Sequence, residues 1–259
     1  MSINYNITAG QVLSMLGYDN PESRKFLDGI EKEYNIKLPA VLRDFYEPAY
    51  GCPLLLTADI WTDRFCTLYE VIEEQIEEFE EEYKDNPEEG VDDEYYKFSQ
   101  FLAKIPREEW QGHVTNYLEI GSDYGAGVAS YGICINDLDK EDPPVYYLNE
   151  DNEMTDWRLL CNTLSEYFML VLCDTLLCKQ YNTAREALNK DGWDYNIYKS
   201  DETEKAAGRV GIDLSALKPQ VLSWGKTTCG YDKERKMIVA ACVDDNCELP
   251  FMAAAISKK

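Results

Sequence analysis

The chain has 259 residues, 45% apolar and 12% aromatic, enough to bury a sizeable core and too many for wholesale disorder. Forty-nine acidic residues against 25 basic ones leave a formal net charge of −24 and a pI near 4.3. Nucleic-acid backbones and anionic lipid surfaces both call for basic protein surface, so both are excluded as direct partners; an acidic chain instead suits a basic one.

The N-terminal stretch MSINYNITAG has neither a basic n-region nor an apolar h-region, so no signal peptide is expected. The longest apolar runs, near residues 168–173 and 237–243, are far short of the ~20 residues a membrane-spanning helix needs. Nine cysteines, an odd number scattered through apolar segments, read as reduced thiols of a cytoplasmic protein.

In chain order, residues 8–16 predict a short helix with Thr8 as its cap and Val12, Leu13 and Leu16 turned inward. Phe26, Leu27, Ile30 and Tyr34 recur at helical spacing on one face. Pro39 suits the first position of a further helix, in which Leu42, Phe45 and Tyr46 face inward and Pro48 and Gly51 mark the end. Leu54–Ile60 reads as a short buried strand.

Leu68–Tyr83 is the most legible helix, with Ile72, Ile76, Phe79 and Tyr83 forming a narrow apolar stripe and glutamate nearly everywhere else. Between Glu70 and Glu94 there are 14 acids and one base, Lys84, so this short stretch holds over half of the net charge. Asn86-Pro87 breaks the helix, and a second follows around residues 94–103.

Strands are expected at Asn116–Ile120, Ser130–Ile135 and Val145–Leu148, joined by short turns and therefore antiparallel. The glycines of Gly121–Gly127 suit the first of those turns. Thr163 and Glu166 match a capping box that opens a helix running to about Cys178, apolar nearly all round and so buried on most sides. A short helix at Thr183–Leu188, a polar loop at Asp201–Lys205 and a hairpin of Gln220–Tyr231 with Lys236–Val243 complete the chain. The layout is α+β: a central, largely antiparallel sheet flanked by helices, with an acidic helical insertion and a C-terminal hairpin.

Little in the sequence carries covalent chemistry. The single histidine, His113, lies in a polar loop and reads as a surface residue, which leaves no Ser-His or Cys-His pair elsewhere. Cys173/Cys178 and Cys242/Cys247 have workable local spacings, but no paired knuckles or histidines accompany them, so they read as core filler and not as metal ligands. The DYGAG turn lacks the Lys-Ser/Thr of a phosphate loop. No catalytic residue, metal or cofactor is predicted. The acidic helix has two readings, a solvated face or a docking surface for a basic partner. The second explains why like charges are concentrated despite their self-repulsion.

Four segments, in order, resemble the SMI1/KNR4 family of the SUKH superfamily. They are the two helices around Leu38-Pro39 ending at Gly51; Tyr117-Leu118-Glu119-Ile120-Gly121-Ser122-Asp123 followed by Gly125 and Gly127, similar to the family's I-G-x-D-x-G-G; Val145-Tyr146-Tyr147-Leu148; and Leu164-Ser165-Glu166-Tyr167-Phe168, similar to its S-F-x-x-F-L. The resemblance covers about Phe26 to Cys178. It implies the sheet-and-helix fold above and a non-enzymatic, protein-binding role. Bacterial members are mostly immunity proteins that bind and neutralise a cognate toxin, often a nuclease, of polymorphic or contact-dependent systems; fungal relatives are scaffolds.

On this basis residues 1–259 form one SUKH-like domain, with a core at about 26–178, the acidic insertion at about 68–103 and an extension at 179–259 that matches no motif. The expected function is toxin neutralisation through a basic partner surface, with a housekeeping interaction scaffold as the alternative. The expected contacts are Glu73, Glu74, Glu77, Glu78 and Glu81.

Overall fold

The computed structural model describes residues 3–56, 65–82, 94–123, 129–149, 155–177, 181–219, 225–244 and 248–259. The expected helix Leu68–Tyr83 is thus seen to Glu82, and residues 57–60 of the expected strand lie outside the described residues, as do Cys178 and Cys247.

A strand β1 (Ile3–Asn4) precedes helix α1 (Ala9–Met15), whose capping box joins Thr8 to Gln11. Helix α2 (Glu22–Tyr34) stops where Asn35 turns left-handed, and α3 (Ala40–Ala49) begins one residue after Pro39, its N-cap. Pro48 lies inside the last turn of α3 instead of ending it, since a helix can finish within a turn of a missing N–H. Gly10 lets α1 cross α3 closely, because a β-carbon there would come within 2.2 Å of the Asp44 carbonyl oxygen.

Leu54 and Leu55, expected in a strand, belong to a helical turn, α4 (Pro53–Leu56), and are fully buried there. A proline at the first helical position favours that outcome, and periodicity over so few residues cannot separate a buried turn from a strand.

Strand β2 (Cys66–Thr67) leads into helices α5 (Leu68–Glu82) and α6 (Glu94–Leu102) and a 3₁₀ turn over Arg107–Gly112. An antiparallel meander follows: β3 (Tyr117–Asp123), β4 (Ala129–Cys134), β5 (Val145–Asn149) and β6 (Arg158–Cys161). With β2 it forms a five-stranded sheet in the order β2-β3-β4-β5-β6. The three expected strands are present, and β6 is an addition.

Helix α7 (Leu164–Leu177) is buried on most sides, and Glu166 N–H donates to the Thr163 hydroxyl at its start. After it come α8 (Tyr181–Lys190), β7 (Trp193–Ser200), α9 (Thr203–Val210) and strands β8 (Lys218–Pro219), β9 (Lys226–Asp232), β10 (Met237–Val243) and β11 (Phe251–Lys258). Thr203–Lys205, expected in a loop, begin α9. The β9–β10 hairpin is present, but as the centre of a second antiparallel sheet of order β1-β9-β10-β11-β7, with β8 also on β9. The protein is therefore α+β with two antiparallel sheets, where the sequence suggested one.

Helix α7 packs against β6 of the first sheet and against β9, β10 and β11 of the second, which explains why it lacks a polar face. Phe168 stacks on Phe45 of α3 with centroids 3.9 Å apart, and the Tyr46 hydroxyl donates to the Ile120 carbonyl of β3. On the other side Cys173 meets Thr227, Cys229 and Cys242, and the Tyr195 hydroxyl donates to the Leu176 carbonyl. Strand β10 alternates: Ile238 and Ala240 face this core, while Val239 and Ala241 face a smaller one under α9.

The buried thiols are held neutral. Loss of hydration pushes Cys229 and Cys161 up to about 12 and Cys52 to about 11, which makes them poor nucleophiles. The unfolded chain releases these protons near pH ~8.5. Above that value the unfolded state binds fewer protons than the folded one, so stability falls as pH rises. The guanidinium unfolding midpoint is expected to stay level up to about pH 8 and to decline steadily from about pH 9 to 12. A midpoint that stays level to pH 11 would contradict the burial of these groups.

Candidate partner-binding face on the acidic helix

Helix α5 starts with a second capping box. Thr67 N–H donates to the Glu70 carboxylate at 2.8 Å, and Glu70 N–H donates back to the Thr67 hydroxyl at 3.4 Å. The T-x-x-E pattern ahead of an apolar run is readable in the sequence. It fixes the first turn of α5 at the end of β2 and so sets the direction in which the helix crosses the sheet. The Tyr34 hydroxyl donates to the Phe65 carbonyl at 3.3 Å and so ties α2 to the residue that precedes β2.

The inner face of α5 carries Ile72, Ile76 and Phe79 of the expected stripe, and Tyr83 lies outside the described residues. Leu68 and Ile72 are buried with Leu102, Trp110, Val114 and Tyr117, and Ile76 packs at the margin. This cluster lies on the face of the five-stranded sheet away from α7. Trp110 locks the linker after α6, since its indole N–H donates to the carbonyls of Leu102 at 3.1 Å and Ile105 at 3.2 Å.

The opposite face carries the glutamates. Glu74, Glu77, Glu78 and Glu81 repeat at three-to-four spacing and are exposed, on the side of the helix away from Ile72 and Ile76. Glu73 is different. It is half-buried and forms an ion pair with Arg107 at 3.0 Å. Both side chains stay about half exposed, so the pair adds no more than ~1 kcal/mol to stability. Its effect is to hold Glu73 against the 3₁₀ turn, away from the other four. Arg107 gave no signal in the sequence, because an ion pair between separate elements has no periodic signature.

His113 is exposed and meets Phe101 edge-on with centroids 5.0 Å apart. Among the described residues no group of three or more His, Cys, Asp or Glu is arranged to hold a metal ion, and no helix is long and apolar enough to cross a membrane.

Beside α5 the sheet face is partly covered. Trp157 lies flat on Tyr117, with centroids 4.3 Å apart and planes 12° from parallel. Gly132 makes room for it, since a β-carbon there would approach the Trp157 ring to 3.0 Å.

Two antiparallel sheets around a buried helix, with a carboxylate-rich helix on an outer face, define an α+β protein whose most distinctive exposed chemistry is negative charge. Residues 21–169 match the model of the SMI1/KNR4 family (SUKH-1), more than half of the chain, and the protein belongs to that family. No curated protein and no solved structure gives a significant match. The matched span runs from the residue before α2 into the first half of α7. It takes in α5 and α6 together with the five-stranded meander.

Proposed function

We propose that this protein is an immunity-type member of its family, which binds a basic toxin protein and blocks it through the outer face of α5. The observation that carries the reading is the alignment of Glu74, Glu77, Glu78 and Glu81 on one exposed helical face. A nuclease must present basic groups to hold phosphates, so a line of carboxylates can compete for that groove and steer rapid association. Glu73 is engaged with Arg107 and half-buried, so it is less available than an exposed glutamate. The cytoplasm, where such a toxin acts, is the expected location.

Co-expression with a toxin encoded beside this gene tests the reading. Cells carrying both are expected to grow where cells with the toxin alone die, and the two proteins are expected to co-purify. If no neighbouring toxin exists, or survival is unchanged, the immunity role is lost and the scaffold alternative takes its place.

A further inference from the structure

Strand β7 (Trp193–Ser200) ends the second sheet, and among the described residues no strand pairs with its far side. The other edge strands of the two sheets are short: β1, β2 and β8 have two residues each and β6 has four. Strand β7 has eight, runs in unbroken register with β11 and contains no proline. Native sheets shield a long edge with prolines, bulges or charged side chains, because a row of backbone donors and acceptors recruits another strand. In β7 the charges sit only near the ends, at Asp194 and Lys199, and the middle is uncharged.

The register shows which groups face that edge. Lys259 N–H donates to the Gly192 carbonyl at 3.1 Å, so the even-numbered residues of β7 bond to β11. The odd-numbered ones, Trp193 and Ile197 among them, turn N–H and C=O outward. Helix α8 packs on the face that carries Trp193 and Ile197, and α9 on the face that carries Tyr198, so both faces are supported and the edge lies between them. Ile197 and Tyr198 are only half-buried.

Charge favours a particular occupant. Two chains of net charge −24 repel, so self-association is least opposed where local charge is smallest. Residues 179–259 hold 13 basic and 12 acidic residues, a net +1, which leaves −25 on residues 1–178. The long edge therefore belongs to the nearly neutral part of the chain.

We propose that β7 pairs antiparallel with β7 of a second copy of this chain, about a twofold axis at Asn196, and so joins two six-stranded sheets into one. That register sets Ile197 opposite Tyr195 of the copy and Trp193 opposite Lys199, so the outward backbone groups of the two strands exchange hydrogen bonds. Asp194 falls opposite Tyr198, so no carboxylate meets its own image. The two Asn196 carboxamides, each both donor and acceptor, meet on the axis. Ile197 and Tyr198 gain cover on both faces. The contact uses no residue of α5 and is independent of the docking reading above.

Sedimentation velocity on the whole chain tests this. The expected result is a mass that rises with concentration from 29.8 kDa towards twice that value. Ile197→Pro removes an outward N–H and leaves the bonds to β11 in place, so it is expected to sediment as a folded monomer, with circular dichroism as the check on folding. Asn196→Lys and Asn196→Glu each set like charges face to face on the axis and are expected to weaken the dimer about threefold. An equimolar mixture of the two is expected to recover the lost affinity, because lysine then faces glutamate. Asn196 is exposed, so this pair keeps the test decisive should Ile197→Pro fail to fold. A monomer at every concentration overturns the proposal. So does a dimer that persists in folded Ile197→Pro, or a mixture that associates no more tightly than either Asn196 variant alone.

Discussion

A chain ending at Leu177 is expected to lose cooperative folding, even though the family match itself ends at residue 169. Such a chain keeps α7 and removes what covers one side of it. Cys173 loses Cys229 and Cys242, and the Leu176 carbonyl loses the Tyr195 hydroxyl. The Leu16 carbonyl loses the Trp193 indole N–H, a bond of 3.1 Å, and β1 loses its partner β9. Each large side chain returned to water costs ~1.5–3 kcal/mol, against a total stability of ~5–15 kcal/mol for a typical domain. A handful of such exposures on α7 and α1 is enough to unfold the protein. Near-ultraviolet circular dichroism and a urea titration check this: the expected outcome is no aromatic signal and no sigmoidal transition. A cooperative transition in the shortened chain would show that residues 179–259 are a separable extension and would defeat the single-domain organisation of residues 1–259.

Reversing Glu77, Glu78 and Glu81 to lysine together is expected to slow association with the basic toxin by about tenfold or more at low salt. The three changes each add two units of charge, moving the net value from −24 to −18. Most of the protein's field remains, but its densest line is inverted. The salt dependence of the association rate should flatten at the same time, because steering between exposed charges decays over a Debye length of ~10 Å at 0.1 M salt. Folding should survive, since these side chains are exposed and lysine has nearly the helix propensity of glutamate. The changes at positions 77 and 78 also relieve the like-charge pairs Glu73–Glu77 and Glu74–Glu78 at i, i+4, which slightly favours the helix. Stopped-flow mixing over a range of salt concentrations gives the answer, with the thermal midpoint as control. An unchanged association rate would take α5 out of the recognition mechanism.

Much of the local structure was legible from the chain. The stripes on α2, α3 and α5 repeat at helical spacing because each helix buries a single face, and that spacing survives without tertiary context. The meander β3–β4–β5 announced itself through short connections and alternating residues. The four glutamates on the outer face of α5 were also readable, because an amphipathic helix assigns its polar side as firmly as its apolar one.

The second sheet was harder to read, for a physical reason. Its strands β10 and β11 are covered on both faces, so they show no clean alternation of apolar and polar residues. The run Ala253–Ala255 in β11 has low strand propensity and pairs only because small side chains let α7 and α9 approach the sheet. Strand β7 follows a polar helix and gave no turn signal that pointed to β11, its partner across more than fifty residues.

The sequence by itself determined the helical faces, the first three long strands, the concentration of charge on one short stretch and the family to which the chain belongs. Only the tertiary structure decided that α7 is shared between two sheets and that Arg107 holds Glu73 aside. Periodicity records which face of an element is buried. It carries no record of what comes from elsewhere in the chain to bury it.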